Sequence, residues 1–315
     1  MSESNGCNWP HLSEAQLKSM TIRTFTIHPP SDADEQIMPT LELRCDPISF
    51  SQSCEAIGTQ DIRVIGQLSN SSNGALLGEI EYEEKKISVV IKPSMYENPL
   101  WDFPWGTLAK REVASFEMSQ LLGWNIVPPT ILRDVNDMES SVQLFIPHNP
   151  REHYFTLSAG NREAMEKFAV FDYIVNNADR KGGHILNEIE DSFDFYVEVV
   201  GDDDDDATRL HASKRRLSGD RAPSHTPTLW GIDHGLTFHV EDKLRTVIWE
   251  FSEEPISEEL VRDVNVALPK MAERLKPFLE SHEIEATMVR VEKLLLNPFH
   301  RALDANERAF PWPLV

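Results

Sequence analysis

The stretch FDYIVNNADRKGGHIL, Phe171 to Leu186, decides how the rest of this 315-residue chain is read. Its first half ends an amphipathic helix, because Ala164, Phe168, Phe171 and Val175 recur at i, i+4, i+7 and i+11. Its second half cannot continue that helix. Asn176, Asn177, Asp179, Arg180, Gly182, Gly183 and His184 are polar or glycine, and the apolar pair Ile185-Leu186 starts a strand. A polar loop held between two buried elements is where reactive side chains are presented. The same residues also read as a helix C-terminus capped by Asn177 and followed by a glycine turn. Taken alone, the stretch leaves both readings open.

Working outward, two further stretches favour the first. Trp230 to Gly235, WGIDHG, is a short apolar strand that delivers Asp233 ahead of a glycine. A loop aspartate followed by a strand-end aspartate is how phosphotransferases place a base and a metal-holding carboxylate. Ile87 to Pro93, ISVVIKP, is a strand whose only charge is Lys92. A lysine late in an apolar strand can pair the α/β-phosphates of ATP and an acidic helix residue. Glu112 lies early in a helix expected over Thr107 to Leu122, where such a partner would sit. Glu112 and Glu117 also read as ordinary solvated helix residues.

The totals narrow the class. Apolar content of 40% and charged content of 26% are those of a globular protein. There is no run of eighteen apolar residues, so no transmembrane helix is expected. The opening MSESNGCNWPHLSEAQ has neither a basic nor an apolar region of the secretory kind. Cys7, Cys45 and Cys54 form an odd set without a CxxC, which predicts a reducing, cytoplasmic setting with no disulfide framework and no zinc site. A net charge of −22 argues against nucleic acid as a partner and against stable association with an anionic membrane. It also serves solubility.

In chain order, residues 1–55 read as an extension or poorly ordered tail, with a short helix at Ser13 to Met20 and a partial strand at Thr21 to Ile27. Asp61 to Glu84 reads as a hairpin whose turn, Ser69 to Gly74, is small and polar, so that its backbone could approach phosphates or simply be solvated. Trp101, Phe103 and Trp105 read as packing anchors. Strands are expected at Thr130 to Arg133, Ser141 to Pro147, Asp194 to Val200 and Leu229 to Ile232, and a helix at Ser158 to Val175. Residues 201–226, with five consecutive aspartates, read as a mobile insertion rather than a metal site. Leu236 to Glu250 reads as a polar hairpin. Its Lys243 and Arg245 are the cations best placed to meet an anionic substrate, or are surface salt-bridge partners. Helices follow at Glu258 to Leu268, from Pro269 onward, and at Glu283 to Leu296.

With Lys92, Glu112, Asp179 and Asp233 in that order, and with LWDFPWGTLAKREVA, LGWNIVPPTILRD, SVQLF, NNADRKGGHIL and GIDHGLTFHVEDKLRTVIWE, the chain resembles the phosphatidylinositol 3-/4-kinase-like superfamily. More closely, it resembles a small actinobacterial branch whose substrate is not established. The resemblance covers roughly residues 60 to 315 apart from the insertion. It implies an α+β, two-lobed protein-kinase-like fold: an N-terminal extension at 1–55, a nucleotide-binding lobe of antiparallel sheet plus one helix at 56–147, and a mostly helical catalytic lobe at 148–315.

The same resemblance implies roles. Lys92 would hold the phosphates of ATP and Glu112 would orient it. The turn carrying Ser69, Ser71, Ser72 and Asn73 would cover them, and Phe145 and Ile146 would form an adenine-facing hinge before Pro147. Asp179, followed by Arg180, would orient and deprotonate a hydroxyl acceptor, and Asp233 would hold the metal. Five residues after Asp179, where the superfamily has a metal-binding asparagine, this chain has His184. Imidazole suits Mn²⁺ better than Mg²⁺, and Asn177 could supply a missing oxygen ligand. The expected acceptor is a small molecule, or a headgroup-like one. The competing readings are a nucleotide-binding regulatory pseudokinase, a Ser/Thr protein kinase, and a metal hydrolase using His184, Asp233, His234 and His239.

Overall fold

Ile87, Val89 and Ile91 alternate along one strand and are fully buried. That period of two fixes the centre of a sheet, because alternate side chains must face the same side. The computed structural model describes residues 21–28, 40–68, 74–149, 151–188, 195–201, 208–214, 228–304 and 308–315. Its strands in chain order are β1 (Thr21–His28), β2 (Thr40–Ser49), β3 (Ile62–Leu68), β4 (Leu76–Tyr82), β5 (Lys85–Pro93), β6 (Thr130–Val135), β7 (Met138–Leu144), β8 (Ile185–Asn187), β9 (Phe195–Gly201), β10 (Thr208–Lys214) and β11 (Leu229–Gly231). Its helices are α1 (Phe50–Thr59), α2 (Leu108–Leu121), the single turn α3 (Tyr154–Leu157), α4 (Arg162–Val175), α5 (Glu258–Leu275) and α6 (Ser281–Leu296).

The sheet runs β1-β2-β9-β10-β3-β4-β5-β7-β6. From β3 to β6 every neighbour is antiparallel. At the other end β10 joins β3 in parallel through Arg209↔Gln67 and Leu210↔Leu68. The fold is therefore mixed α+β, with an antiparallel sheet followed by a helical half that β8 and β11 enter as a separate two-stranded ribbon. One apolar core runs through both, from Ile57, Ile80 and Ile91 through Phe116 and Met118 to Phe168, Phe171, Trp230, Met271 and Val291. Helix α2 is the element between them, with Ala114, Phe116 and Met118 buried on successive sides.

Several expectations need correcting. The boundary at 55/56 falls inside α1, whose Phe50, Ala56 and Ile57 are fully buried. Ser49 and Gln52 form a capping box at its start, and Arg133 donates to the carbonyls of Ile57 and Gln60 at its end. Strand β2 runs through Pro47. Within the expected insertion at 201–226, Thr208–Lys214 forms β10 and pairs antiparallel with β9, whereas residues 202–207 and 215–226 lie outside the described residues. The expected helix at Ser158 to Val175 splits into a 3₁₀ turn at Ser158–Gly160, which continues from α3, and α4. Leu236 to Glu250 forms no hairpin, because its backbone bonds to other loops: Phe238 N–H to Val175 O and Arg245 N–H to Asn177 O. Pro269 does not open a helix but sits inside α5, where Leu260, Val264, Ala267, Met271 and Leu275 make one buried stripe. Of the three expected anchors only Phe103 is buried; Trp101 is 89% and Trp105 62% exposed. The expected helix at Ser13 to Met20 lies outside the described residues.

Residues 308–315 cross the helical half. Ala309 O accepts from Thr246 N–H and from the Trp249 indole, each at 3.1 Å, and Leu314 O accepts from Gly182 N–H at 2.7 Å. Among the described residues, no helix is long and apolar enough to cross a membrane.

Candidate active site

Strand alternation places Lys92 on the face opposite Ile91, where its ammonium meets two carboxylates. It bonds Glu112 Oε1 from α2 and Asp233 Oδ1 from the loop after β11. The other Glu112 oxygen accepts from His234 N–H at 2.9 Å, so one helix residue fixes both the lysine and the Asp233 loop. Asp233 itself has a left-handed backbone, φ +60°. Such a conformation costs a non-glycine residue energy and persists only where its surroundings over-determine it. Here Gly231 N–H bonds Ile126 O at 2.6 Å and Ile232 N–H bonds His184 O at 3.0 Å. Gly231 is required, since a Cβ there would lie 2.8 Å from Phe168 Cε1.

The Asp179 loop is built from α4 downward. Asn176, not Asn177, is the left-handed residue that ends the helix, with φ +52°. Its amide donates to His239 O and Glu241 O and accepts from Lys243 N–H, which ties the loop to residues 239–243. Asn177 is fully buried; it donates to Asp172 Oδ1 and accepts from Asp179 N–H, both at 3.0 Å. Arg180 is fully buried too. Its Nε and Nη2 fork onto Asp172, Nη1 donates to Ile232 O at 2.9 Å, and Nη2 meets His234 Nε2 at 2.6 Å. Thr246 Oγ1 donates to the same Asp172 at 3.2 Å.

These contacts correct two assignments. Arg180 faces inward and cannot touch an acceptor, so it is a positioning residue. Asn177 is fully buried, with its amide bonded to Asp172 and to the Asp179 backbone, which makes it a second positioning residue. Sequence reasoning missed Asp172 and Lys181. Asp172 was visible as the lone acid in the apolar run FAVFDYIV, and Lys181 as a cation two residues past Asp179. Lys181 Nζ lies 2.8 Å from Asp179 Oδ2.

Charge follows from this geometry. Burial pushes the Asp179 carboxyl above the usual aspartate range, and Lys181 opposes the shift. The Lys92 ammonium holds Asp233 well below that range. Burial works to lower Lys92, but Asp233 and Glu112 outweigh it and keep the ammonium charged. Burial brings His184 down to about 4, so its imidazole is neutral near pH 7. Its Nδ1 accepts from Lys181 N–H at 3.4 Å, which leaves Nε2–H facing Asp233 Oδ2 at 3.3 Å.

Among the described residues, no group of three His, Cys, Asp or Glu side chains could hold a metal alone. One half-exposed carboxylate, Asp233, beside one neutral imidazole, His184, fits a divalent ion that arrives with phosphate oxygens and keeps its waters. Phe145 and Ile146 follow β7. Phe145 N–H goes to Ser88 O at 3.0 Å, and Ile146 O is bonded to His148 Nδ1 at 2.8 Å. Ser69, Ser71, Ser72 and Asn73 lie outside the described residues. His239 is turned away, bonding Asp102 O at 2.9 Å.

Over 292 residues the chain is 31% identical to protein Rv2133c of Mycobacterium tuberculosis, covering 80% of this chain and 92% of that one. The chain belongs to the Rv2133c family. No family model matches it. Solved structures similar to this member of the Rv2133c family include hydra Fam20 with sugar, at TM-score 0.42 and 11% identity, over 82% of this chain and 93% of that one. A Helicobacter pylori proinflammatory kinase, CtkA, is similar at TM-score 0.41 and 8% identity, over 76% of this chain and 93% of that one.

Proposed function

We propose that this chain is an ATP-dependent phosphotransferase acting on a hydroxyl acceptor, with a two-lobed, kinase-like division of labour of the phosphatidylinositol 3-/4-kinase-like kind. The observation that carries the reading is the meeting of Lys92, Glu112 and Asp233 from three separate elements beside the Asp179 loop. In this reading Lys92 exchanges Asp233 for the α/β-phosphates, while Glu112 keeps the ammonium in place. Asp179, its carboxyl made more basic by burial, takes the acceptor's hydroxyl proton. The acceptor oxygen bonds the γ-phosphorus as the bond to the β–γ bridging oxygen breaks, and ADP leaves. Asp233 and His184 would hold Mg²⁺ or Mn²⁺, which neutralises charge on the β- and γ-phosphates when bound. Asn177 and Arg180 set the loop's shape. The acceptor proposed is a small molecule or headgroup-like compound, met in the cytoplasm.

One observation favours a second reading, a nucleotide-binding regulatory protein. Both Asp233 oxygens are engaged, by Lys92 and by His184. Binding of ATP and its turnover, each with Mg²⁺ and with Mn²⁺, separate the two. The phosphotransferase reading expects turnover in the wild type that falls about 10²–10⁴-fold in Asp179→Ala, and is lost in Asp233→Ala. Tight binding with no turnover in either metal favours the regulatory reading. Absence of nucleotide binding overturns both.

A further inference from the structure

Two cations near Asp179 looked alike in the sequence, and the structure separates them. Lys243 is buried and committed: its ammonium bonds Asp102 at 2.5 Å, lies 3.6 Å from Glu241, and sits 4.6 Å from the centre of the Trp101 ring. Arg245 is half-buried, and its guanidinium has no partner among the described residues. Its backbone, by contrast, is fixed on both sides of Asp179. Arg245 N–H bonds Asn177 O at 2.9 Å, and Arg245 O accepts from Arg180 N–H at 3.0 Å.

Which way Arg245 faces follows from its neighbours. Arg180 and Thr246 are opposed in a parallel bridge, and both side chains reach inward to Asp172. Leu244, Thr246 and Ile248 line one cavity beside α4. Arg245, between Leu244 and Thr246, neither lines that cavity nor bonds Asp172, which puts its side chain on the outward side. Asp179 and Lys181, which pair with each other on either side of the inward Arg180, are on that outward side too. The base, paired with Lys181, thus lies on a loop whose backbone is bonded to that of an uncommitted arginine, in a molecule of net charge −22.

We infer that Arg245 is the acceptor-recognition residue of this site, and that the acceptor is a hydroxyl compound bearing an anionic oxyacid group, phosphate or carboxylate. The inference rests on the phosphotransferase reading for the identity of the site. A guanidinium gives two parallel N–H donors, which match a carboxylate or phosphate edge in a way a single ammonium does not. The Arg245 backbone is bonded on both sides of Asp179, so an anion held by this side chain would bear on which hydroxyl meets the base.

The test uses one carbon skeleton in four forms. Wild type, Arg245→Ala and Arg245→Lys are first titrated with a non-hydrolysable ATP analogue and Mn²⁺. With the analogue saturating, each is titrated with glycerol, glycerate, glycerol 3-phosphate and phosphatidylglycerol vesicles. At least one anionic form is expected to bind wild type tenfold or more tighter than glycerol. Arg245→Ala should erase that preference and Arg245→Lys should restore part of it. Preference for the vesicles over glycerol 3-phosphate assigns the anion to a membrane-borne source, and the reverse to a soluble one. Equal binding of glycerol, binding of none of the four, or a preference that survives in Arg245→Ala overturns the inference. If the wild type binds no nucleotide analogue, the phosphotransferase reading falls, and the same titrations without nucleotide still decide whether Arg245 selects anions.

Discussion

His184 keeps its imidazole neutral in a place where most nearby charges oppose its protonation. Burial is the largest cause, and Arg180, Lys181 and Lys92 add to it against the pull of Asp233. The folded value, about 4, lies below histidine's ordinary 6.5, so the unfolded chain binds this proton more readily than the folded one. Folding stability therefore rises with pH between those two values. The shift corresponds to a gain on the order of 3 kcal/mol from the acid end of that window to pH 7. His148, His234 and His300 are also pushed down by burial and add to the slope in the same direction. Thermal unfolding at pH 5 and pH 7 should show a lower midpoint at pH 5. His184→Asn should narrow that gap; an unchanged gap would mean that the imidazole is not held neutral.

Helix α5 carries a proline as its twelfth residue: Pro269 has no N–H to give the preceding turn, yet the helix continues to Leu275. Burial of Val264, Ala267, Met271 and Leu275 along one stripe outweighs the local loss. Pro269→Ala should restore a helical hydrogen bond and raise stability by up to about 3 kcal/mol, read as a higher urea midpoint; no gain would mean the helix has adapted fully to the ring. The same helix shows where sequence reading fails. Pro269 marks a boundary by local rules, and only the long-range stripe shows that there is none. Strand β5 and helices α2 and α4 were legible because their apolar spacing is regular. Helix α1 was hidden among serines after Pro47, although Ser49-x-x-Gln52 is a capping box that could have revealed it. Lys92, Glu112, Asp179 and Asp233 were legible because few chemistries place those residue types at those element ends. The inward turn of Arg180 was not, because Asp172, the partner that decides it, lies on another element. Nor could spacing separate Lys243 from Arg245, since Asp102 and Trp101, which commit the lysine, lie far from it in the sequence.

Across the whole molecule, the acidic excess of the sequence outweighs its ion pairs. A net charge of −22 makes the folded chain repel itself more than the expanded one does. Raising monovalent salt from about 0.01 M to about 0.15 M shortens the screening length from ~30 Å to ~8 Å, so the thermal midpoint should rise across that range. A flat response would mean that the charges are already neutralised locally. The closing segment, residues 308–315, bears on a different question at this scale. Leu314 O already occupies the Gly182 N–H, three residues past Asp179. A polypeptide laid along this edge in extended form would have to dislodge a segment that is already there, whereas a compact acceptor of a few carbons would not. On the phosphotransferase reading, the molecule thus brings its own competitor against chain-like acceptors, and would discriminate by shape before any charge on the acceptor is read.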